Sequence, residues 1–128
     1  MPYLLVLLTC SLLSGLSGCV PCPRTTVCFT PGENCTNQII DSVNHAQKSV
    51  LVQAYTFTSK PIAKSLIRAK ERGVDIKVIL DESQVSSKYS VINELSEQKI
   101  PIWNDFKPAI AHSKIMIIDN TKNNNWLL

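Results

Sequence analysis

Apolar residues along the chain change their period several times. Tyr3 to Leu16 is an almost unbroken apolar stretch. Residues 20–35 show no period and hold Pro21, Pro23, Pro31 and Gly32 among polar residues, the composition of an irregular linker. Thr36 suits a helix N-cap, and Ile39, Ile40, Val43 and Ala46 then recur at helical spacing, which predicts a first helix to about Lys48. Ser49 to Phe57 (SVLVQAYTF) is β-branched and aromatic and predicts a buried strand. Pro61 fits the first turn of a second helix, with Ile62, Leu66, Ile67 and Ala69 inward and Gly73 at its C-terminus. Val74 to Leu80 predicts a second strand, ended by Asp81-Glu82. A third helix is expected over Tyr89–Gln98 with Val91, Ile92 and Leu95 inward, then a short strand over Ile100–Trp103 and a longer one over Ser113–Ile118. The order αβαβαββ, with short strands alternating with helices of about ten residues, predicts an α/β fold: a layered mixed sheet flanked by helices. A chain of 128 residues has room for one such domain.

Charge sharpens the picture at the N-terminus. The first charged side chain is Arg24, so all 13 basic and 10 acidic residues, and the net charge of +3, belong to residues 24–128. That mild basicity is compatible with a phosphate-bearing partner and does not require one. The apolar stretch before it is shorter than the roughly 20 residues that span a bilayer, and Ser14, Gly15, Ser17 and Gly18 cluster at its end as a signal peptidase site requires. Leu16-Ser17-Gly18-Cys19 also has the form of a bacterial lipobox, in which Cys19 would be lipidated. Against this, Met1-Pro2-Tyr3 carries no basic side chain, and the alternative is a buried element at the start of a cytosolic domain. The expectation is export: residues 1–18 a signal peptide, 19–35 a linker, and the protein secreted, periplasmic or anchored to a membrane through Cys19.

All five cysteines, Cys10, Cys19, Cys22, Cys28 and Cys35, fall within the first 35 residues. With Cys10 removed and Cys19 lipidated, three remain, so at most one intramolecular disulfide can form, favoured by an exported location. Cys19-x-x-Cys22 has neither the second ligand pair of a zinc site nor the preceding strand of a redox motif.

The chemistry concentrates in His112-Ser113-Lys114-Ile115-Met116-Ile117-Ile118-Asp119, which fits H-x-K-x-x-x-x-D. Three fixed positions match by chance in about one chain in a hundred of this length. On a strand His112 and Lys114, two apart, share a face. An imidazole there can attack phosphorus, and an ammonium beside it can neutralise charge building on the non-bridging oxygens. Asp119, at odd spacing, falls on the other face or at the strand end and reads as structural, fixing the turn at Asn120. The alternative is a half-buried strand whose entry happens to carry a His and a Lys. His45 reads as a solvated surface residue. Tyr55, Thr56 and Thr58 end the first strand near where a substrate could lie, with an ordinary strand-end role equally open. Lys60, Lys64 and Arg68, four apart, give the second helix a basic face, which is usually a solvated face and only a weak nucleic-acid footprint.

The run PAIAHSKIMIIDN resembles the motif segment of the phospholipase D superfamily, and QAYTFTSKPIAKSLIRAKERGVDIKVILDE resembles the segment that precedes it in bacterial single-motif endonucleases and phospholipases. The similarity runs from about Thr36 to Asn120, so the resemblance implies a phospholipase D-like phosphodiesterase domain over residues 36–120. The candidate catalytic set it implies is His112, Lys114 and Asp119: His112 forming a covalent phosphohistidine, Lys114 binding phosphate, Asp119 completing the motif. Single-motif members pair two subunits, so a homodimer is implied in which the partner's copy of the motif histidine protonates the leaving group and then activates water. The substrate is a phosphodiester of phospholipid or nucleic acid, and no metal or other cofactor is implied, in keeping with the absence of a carboxylate/His cluster at ligand spacing.

Downstream the sequence departs from the family. The expected turn into a glycine-serine-x-asparagine segment, and a later carboxylate orienting the histidine, are replaced by TKNNNWLL, so residues 121–128 read as an aberrant tail and the domain as partial. Ser113–Ile118 is almost continuously apolar, as suits a strand covered on both faces and paired on both sides. With the chain ending about ten residues later, part of that cover is expected to be missing, and the chain to be poorly stable and inactive or nearly so. The readings that remain are a phosphodiesterase, a truncated and inactive remnant of one, and a non-enzymatic envelope lipoprotein.

Overall fold

The computed structural model describes residues 25–31, 33–84, 87–105 and 112–119. Three helices and four strands follow one another as α1 (Cys35–His45), β1 (Ser49–Ala54), α2 (Lys60–Glu71), β2 (Asp75–Asp81), a single 3-10 turn (Glu82–Gln84), α3 (Ile92–Glu97), β3 (Ile102–Asp105) and β4 (Lys114–Ile118). The sheet order is β3-β2-β1-β4. β1 runs parallel to β2, which runs parallel to β3, while β4 lies antiparallel to β1. The expected order of elements and the mixed sheet are both present.

Register decides which residues share a face. Val50, Val52 and Ala54 stand opposite Ile76, Val78 and Leu80 on one side and Ile118, Met116 and Lys114 on the other. The first six are buried, Met116 and Ile118 pack against them, and Val43, Ala63, Leu66, Ala69 and Leu95 from the three helices join the same core. The described helices therefore cover this face. Its neighbour across the pleat carries Leu51, Ile79, Ile115 and Ile117, of which Leu51 is buried, Ile79 and Ile117 are half-buried and Ile115 is 50% exposed. Among the described residues β4 is an edge strand, paired on one side only.

Several boundaries differ from expectation for local reasons. Asn34, not Thr36, caps α1: its Oδ1 accepts from the Asn37 N–H at 3.2 Å. The helix stops at His45, three residues before Lys48, because the N–H groups of residues 47–49 are taken by a side chain from the end of β4. Ile39 is exposed rather than inward; Val43 and Ala46 hold the helix to the core. β1 ends at Ala54 instead of Phe57, since the chain bends at Tyr55 and folds Phe57 into the core. α3 is shorter than Tyr89–Gln98; Tyr89 is exposed, and the Ser90 Oγ accepts from the Ile92 N–H at its start. α2 keeps Pro61 in its first turn, and Gly73 follows it at φ +91°, a conformation that favours glycine.

Two cross-links tie α1 down. Cys28 and Cys35 form a disulfide, joining the linker to the first residue of α1. At the other end the Arg72 guanidinium donates to the carbonyls of Val43 at 3.0 Å and Ala46 at 3.4 Å. A cation on the last carbonyls of a helix satisfies orphan acceptors and complements the helix dipole. The three-way choice among Cys22, Cys28 and Cys35 is thus resolved for the latter two; Cys19, Cys22 and the whole 1–18 segment lie outside the described residues.

Candidate functional site

Antiparallel pairing with β1 places the start of β4. Ala54 is opposite Lys114, and the Tyr55 N–H donates to the Ser113 carbonyl at 3.0 Å, which extends the ladder one residue past β1. His112 follows outward from there. The Tyr55 ring meets the His112 imidazole at a centroid separation of 4.8 Å, tilted by 45°. The Lys114 Nζ sits 5.9 Å from the centroid of the same ring, within reach of a cation–π attraction. Imidazole, ammonium and phenol therefore gather at the end of the sheet where β1 stops. His112 and Lys114 are exposed and Tyr55 is half-buried. A π face against both side chains narrows their orientations.

Asp119 is held elsewhere. At roughly 3.4 Å per residue, the five steps from Lys114 put it about 17 Å away, at the opposite end of β4. Its Oδ1 accepts from the N–H groups of Gln47 at 3.0 Å, Lys48 at 2.7 Å and Ser49 at 3.2 Å, and its Oδ2 also accepts from Gln47 at 3.0 Å. Its own N–H donates to the Ser49 carbonyl at 2.8 Å, and its backbone turns into the left-handed region at φ +51°. The turn that Asp119 fixes is therefore the α1–β1 connection, about seventy residues back in the chain; Asn120 lies outside the described residues. Of the motif's three polar members, the structure brings His112 and Lys114 together and gives Asp119 a scaffolding position.

The backbone N–H groups of Lys48, then of Gln47 and Ser49, hold the Asp119 carboxyl below its ordinary value, against a smaller opposing effect of desolvation. A carboxyl whose folded pKa is depressed adds stability that is present above the unfolded pKa and lost as pH falls through the folded one. Asp119→Asn is thus expected to lower the thermal midpoint at pH 7 and to flatten its decline below about pH 4, the ordinary range of an unfolded Asp. Thermal melts of both proteins from pH 7 to pH 2 test this; parallel curves would show that the clamp carries no proton linkage.

Other sites raised by the sequence fall into place. His45 is exposed, its Nδ1 2.7 Å from the Asp41 carbonyl. Among the described residues the one close group of metal-ligating side chains is Cys28, Glu33 and Cys35, and both thiols are consumed by the disulfide. Tyr55 is the member of the three strand-end candidates Tyr55, Thr56 and Thr58 that meets His112 and Lys114; the pairing register that carries it there is not written in local sequence.

An α/β domain that opens a strand, at the edge among the described residues, with an exposed histidine and lysine backed by a tyrosine defines a class of sites suited to phosphate esters. The chain belongs to the phospholipase D superfamily: residues 39–127 match the family described as cardiolipin synthase, PLD-like domain. It is 39% identical over 99 residues to a phospholipase D from Rickettsia bellii, covering 77% of this chain and 49% of that protein. It is 37% identical over 82 residues to a mitochondrial cardiolipin hydrolase from Drosophila melanogaster, covering 64% of this chain and 32% of that protein. The chain thus spans about half the length of the curated phospholipase D relatives it matches. Among solved structures, the phospholipase D family member Nuc from Salmonella typhimurium superposes with a TM-score of 0.67 at 31% identity, over 71% of this chain and 61% of that one. NucT from Helicobacter pylori gives 0.56 at 28% identity, over 66% and 59%. The mixed sheet with its helices is the phospholipase D-like fold seen in Nuc.

Proposed function

We propose that the protein is a phosphodiesterase in which His112 attacks phosphorus and Lys114 stabilises charge on the non-bridging oxygens. The observation that carries this reading is the convergence of His112 and Lys114 on Tyr55 at the mouth of β4. The imidazole nitrogen forms a P–N bond as the ester P–O bond breaks. A second imidazole, His112 of another copy in a homodimer, gives a proton to the departing alkoxide and then takes one from the water that cleaves P–N. In both steps a positioned imidazole moves the proton, the role of a general acid and then of a general base. The substrate is a phosphodiester of phospholipid or nucleic acid. Export, with Cys19 as a lipid anchor, is proposed alongside; the Cys28–Cys35 disulfide supports it, because such bonds persist in oxidising compartments.

A second reading, a chain that keeps the fold without turnover, is favoured by the exposure of both His112 and Lys114, since water weakens an ammonium's hold on a developing oxyanion. Hydrolysis of bis(p-nitrophenyl) phosphate separates the two. Turnover at neutral pH that withstands EDTA supports the first reading; a folded protein without turnover supports the second, and activity lost to the chelator would overturn the His–Lys mechanism.

A further inference from the structure

The chain between the apolar N-terminal segment and α1 presents Val27 and Phe29, two positions apart, to solvent, 62% and 69% exposed. Their exposure is built in rather than left to a loose loop. The Cys28–Cys35 bond closes the turn, the Glu33 N–H donates to the Phe29 carbonyl at 3.2 Å, and the Phe29 N–H donates to the Glu33 Oε2 at 3.2 Å. That last contact turns the turn's one carboxylate back onto its own backbone.

Topology puts this turn at the same end of the sheet as His112. Arg72, at the C-terminus of α2, bonds the last carbonyls of α1, and the Asp75 N–H donates to the Lys48 carbonyl at 2.9 Å. The C-termini of α1 and α2 therefore meet where β1 and β2 begin. The two helices pack side by side and have 11 and 12 residues, about 16–18 Å each. Their N-termini then lie together at the opposite end, where β1 gives way to Tyr55 and β4 opens at His112. Exposed Lys60 and Lys64 occupy the first turns of α2 there. One end of the molecule thus combines an apolar turn, basic side chains and the candidate phosphate site, and Cys19, the last residue of the lipobox-like run, is only eight residues from Val27.

We propose that the Val27–Phe29 turn and the first turns of α2 form a lipid-docking edge, which sets His112 and Lys114 against the phosphate layer of an anionic phospholipid surface. Apolar side chains beside cations are the pairing that interfacial binding uses: the former enter the headgroup boundary and the latter meet anionic lipid. The docking claim is independent of turnover; naming membrane phospholipid as the substrate rests on the phosphodiesterase reading.

The test is made on the full chain with Trp103→Phe and Trp126→Phe, so that one introduced indole reports alone. Phe29→Trp places it on the turn, and Gln47→Trp places it on the exposed α1–β1 connection at the far end. With phosphatidylcholine/phosphatidylglycerol vesicles containing brominated acyl chains, the indole at position 29 is expected to shift to the blue and be quenched, while that at position 47 is not. Lys60→Gln/Lys64→Gln should raise the anionic lipid needed for half-maximal quenching roughly 30-fold, at about fivefold per basic residue near the surface. No quenching at position 29, or equal quenching at 47, overturns the docking edge even if the apolar segment itself inserts. Quenching unchanged by the lysine substitutions overturns the part given to α2. Val27→Ser/Phe29→Ser should slow release of headgroup from vesicles while leaving bis(p-nitrophenyl) phosphate hydrolysis unchanged; equal loss on both overturns the link to substrate. Absence of turnover on the soluble diester counts against the phosphodiesterase reading and not against docking, which the indole reports by itself.

Discussion

His112→Ala is expected to abolish phosphodiester hydrolysis, and Lys114→Ala to slow it by a factor of about 10²–10³, the usual cost of removing one oxyanion-stabilising group. The two losses differ in kind. In the proposed mechanism His112 supplies the nucleophile, and Ser113 beside it, whose carbonyl is tied to the Tyr55 N–H, alternates to the other face of the ladder. In the same mechanism Lys114 forms no bond to phosphorus, so its removal is expected to leave the pathway intact and to raise its barrier by roughly 3–4 kcal/mol. Both side chains are exposed, so neither substitution should unfold the protein, and a preserved thermal midpoint makes the kinetic result interpretable. Rates with bis(p-nitrophenyl) phosphate, measured for the three proteins at one pH, check it. Undiminished turnover in His112→Ala would remove the histidine from the mechanism altogether.

Leu66→Ala is expected to destabilise the fold by about 2–5 kcal/mol, the range for deleting a fully buried leucine. Leu66 is wholly buried on α2, in the core that the helices share with the sheet. Its neighbours Ala63, Ser65 and Ala69 are small and equally buried, and Ser65 Oγ is already committed to the Ile62 carbonyl at 2.7 Å. Small and fixed neighbours collapse poorly into a vacated space, so the upper half of the range is expected. A lost 2–5 kcal/mol is a large share of the stability of any small domain. Urea unfolding of both proteins, compared at equal slope, measures it; a change under about 1 kcal/mol, well below the usual cost of such a cavity, would mean that α2 is not seated as described.

The elements were legible because their signals are local. Pro61 in the first turn of a helix, Gly73 after it, and the β-branched runs of β1 and β2 state their own conformations through φ restriction and side-chain shape. The His–Lys pair was legible for the same reason, since residues two apart on a strand share a face whatever lies around them. Ends were read less well. Asn34 displaced Thr36 as the cap, and α1 ended at His45 instead of Lys48, because a carboxylate about seventy residues away claimed the next three N–H groups.

Sequence alone therefore determined the type and order of the elements, the strand motif and its two phosphate-suited side chains, all properties of short segments. Tertiary structure decided the rest. The antiparallel register of β4 on β1 carried Tyr55 to His112 and Asp119 to the α1–β1 connection. The Arg72 guanidinium brought the C-termini of α1 and α2 together. Register and helix docking are set by burial summed over many residues far apart in the chain, and no short window of sequence contains that sum.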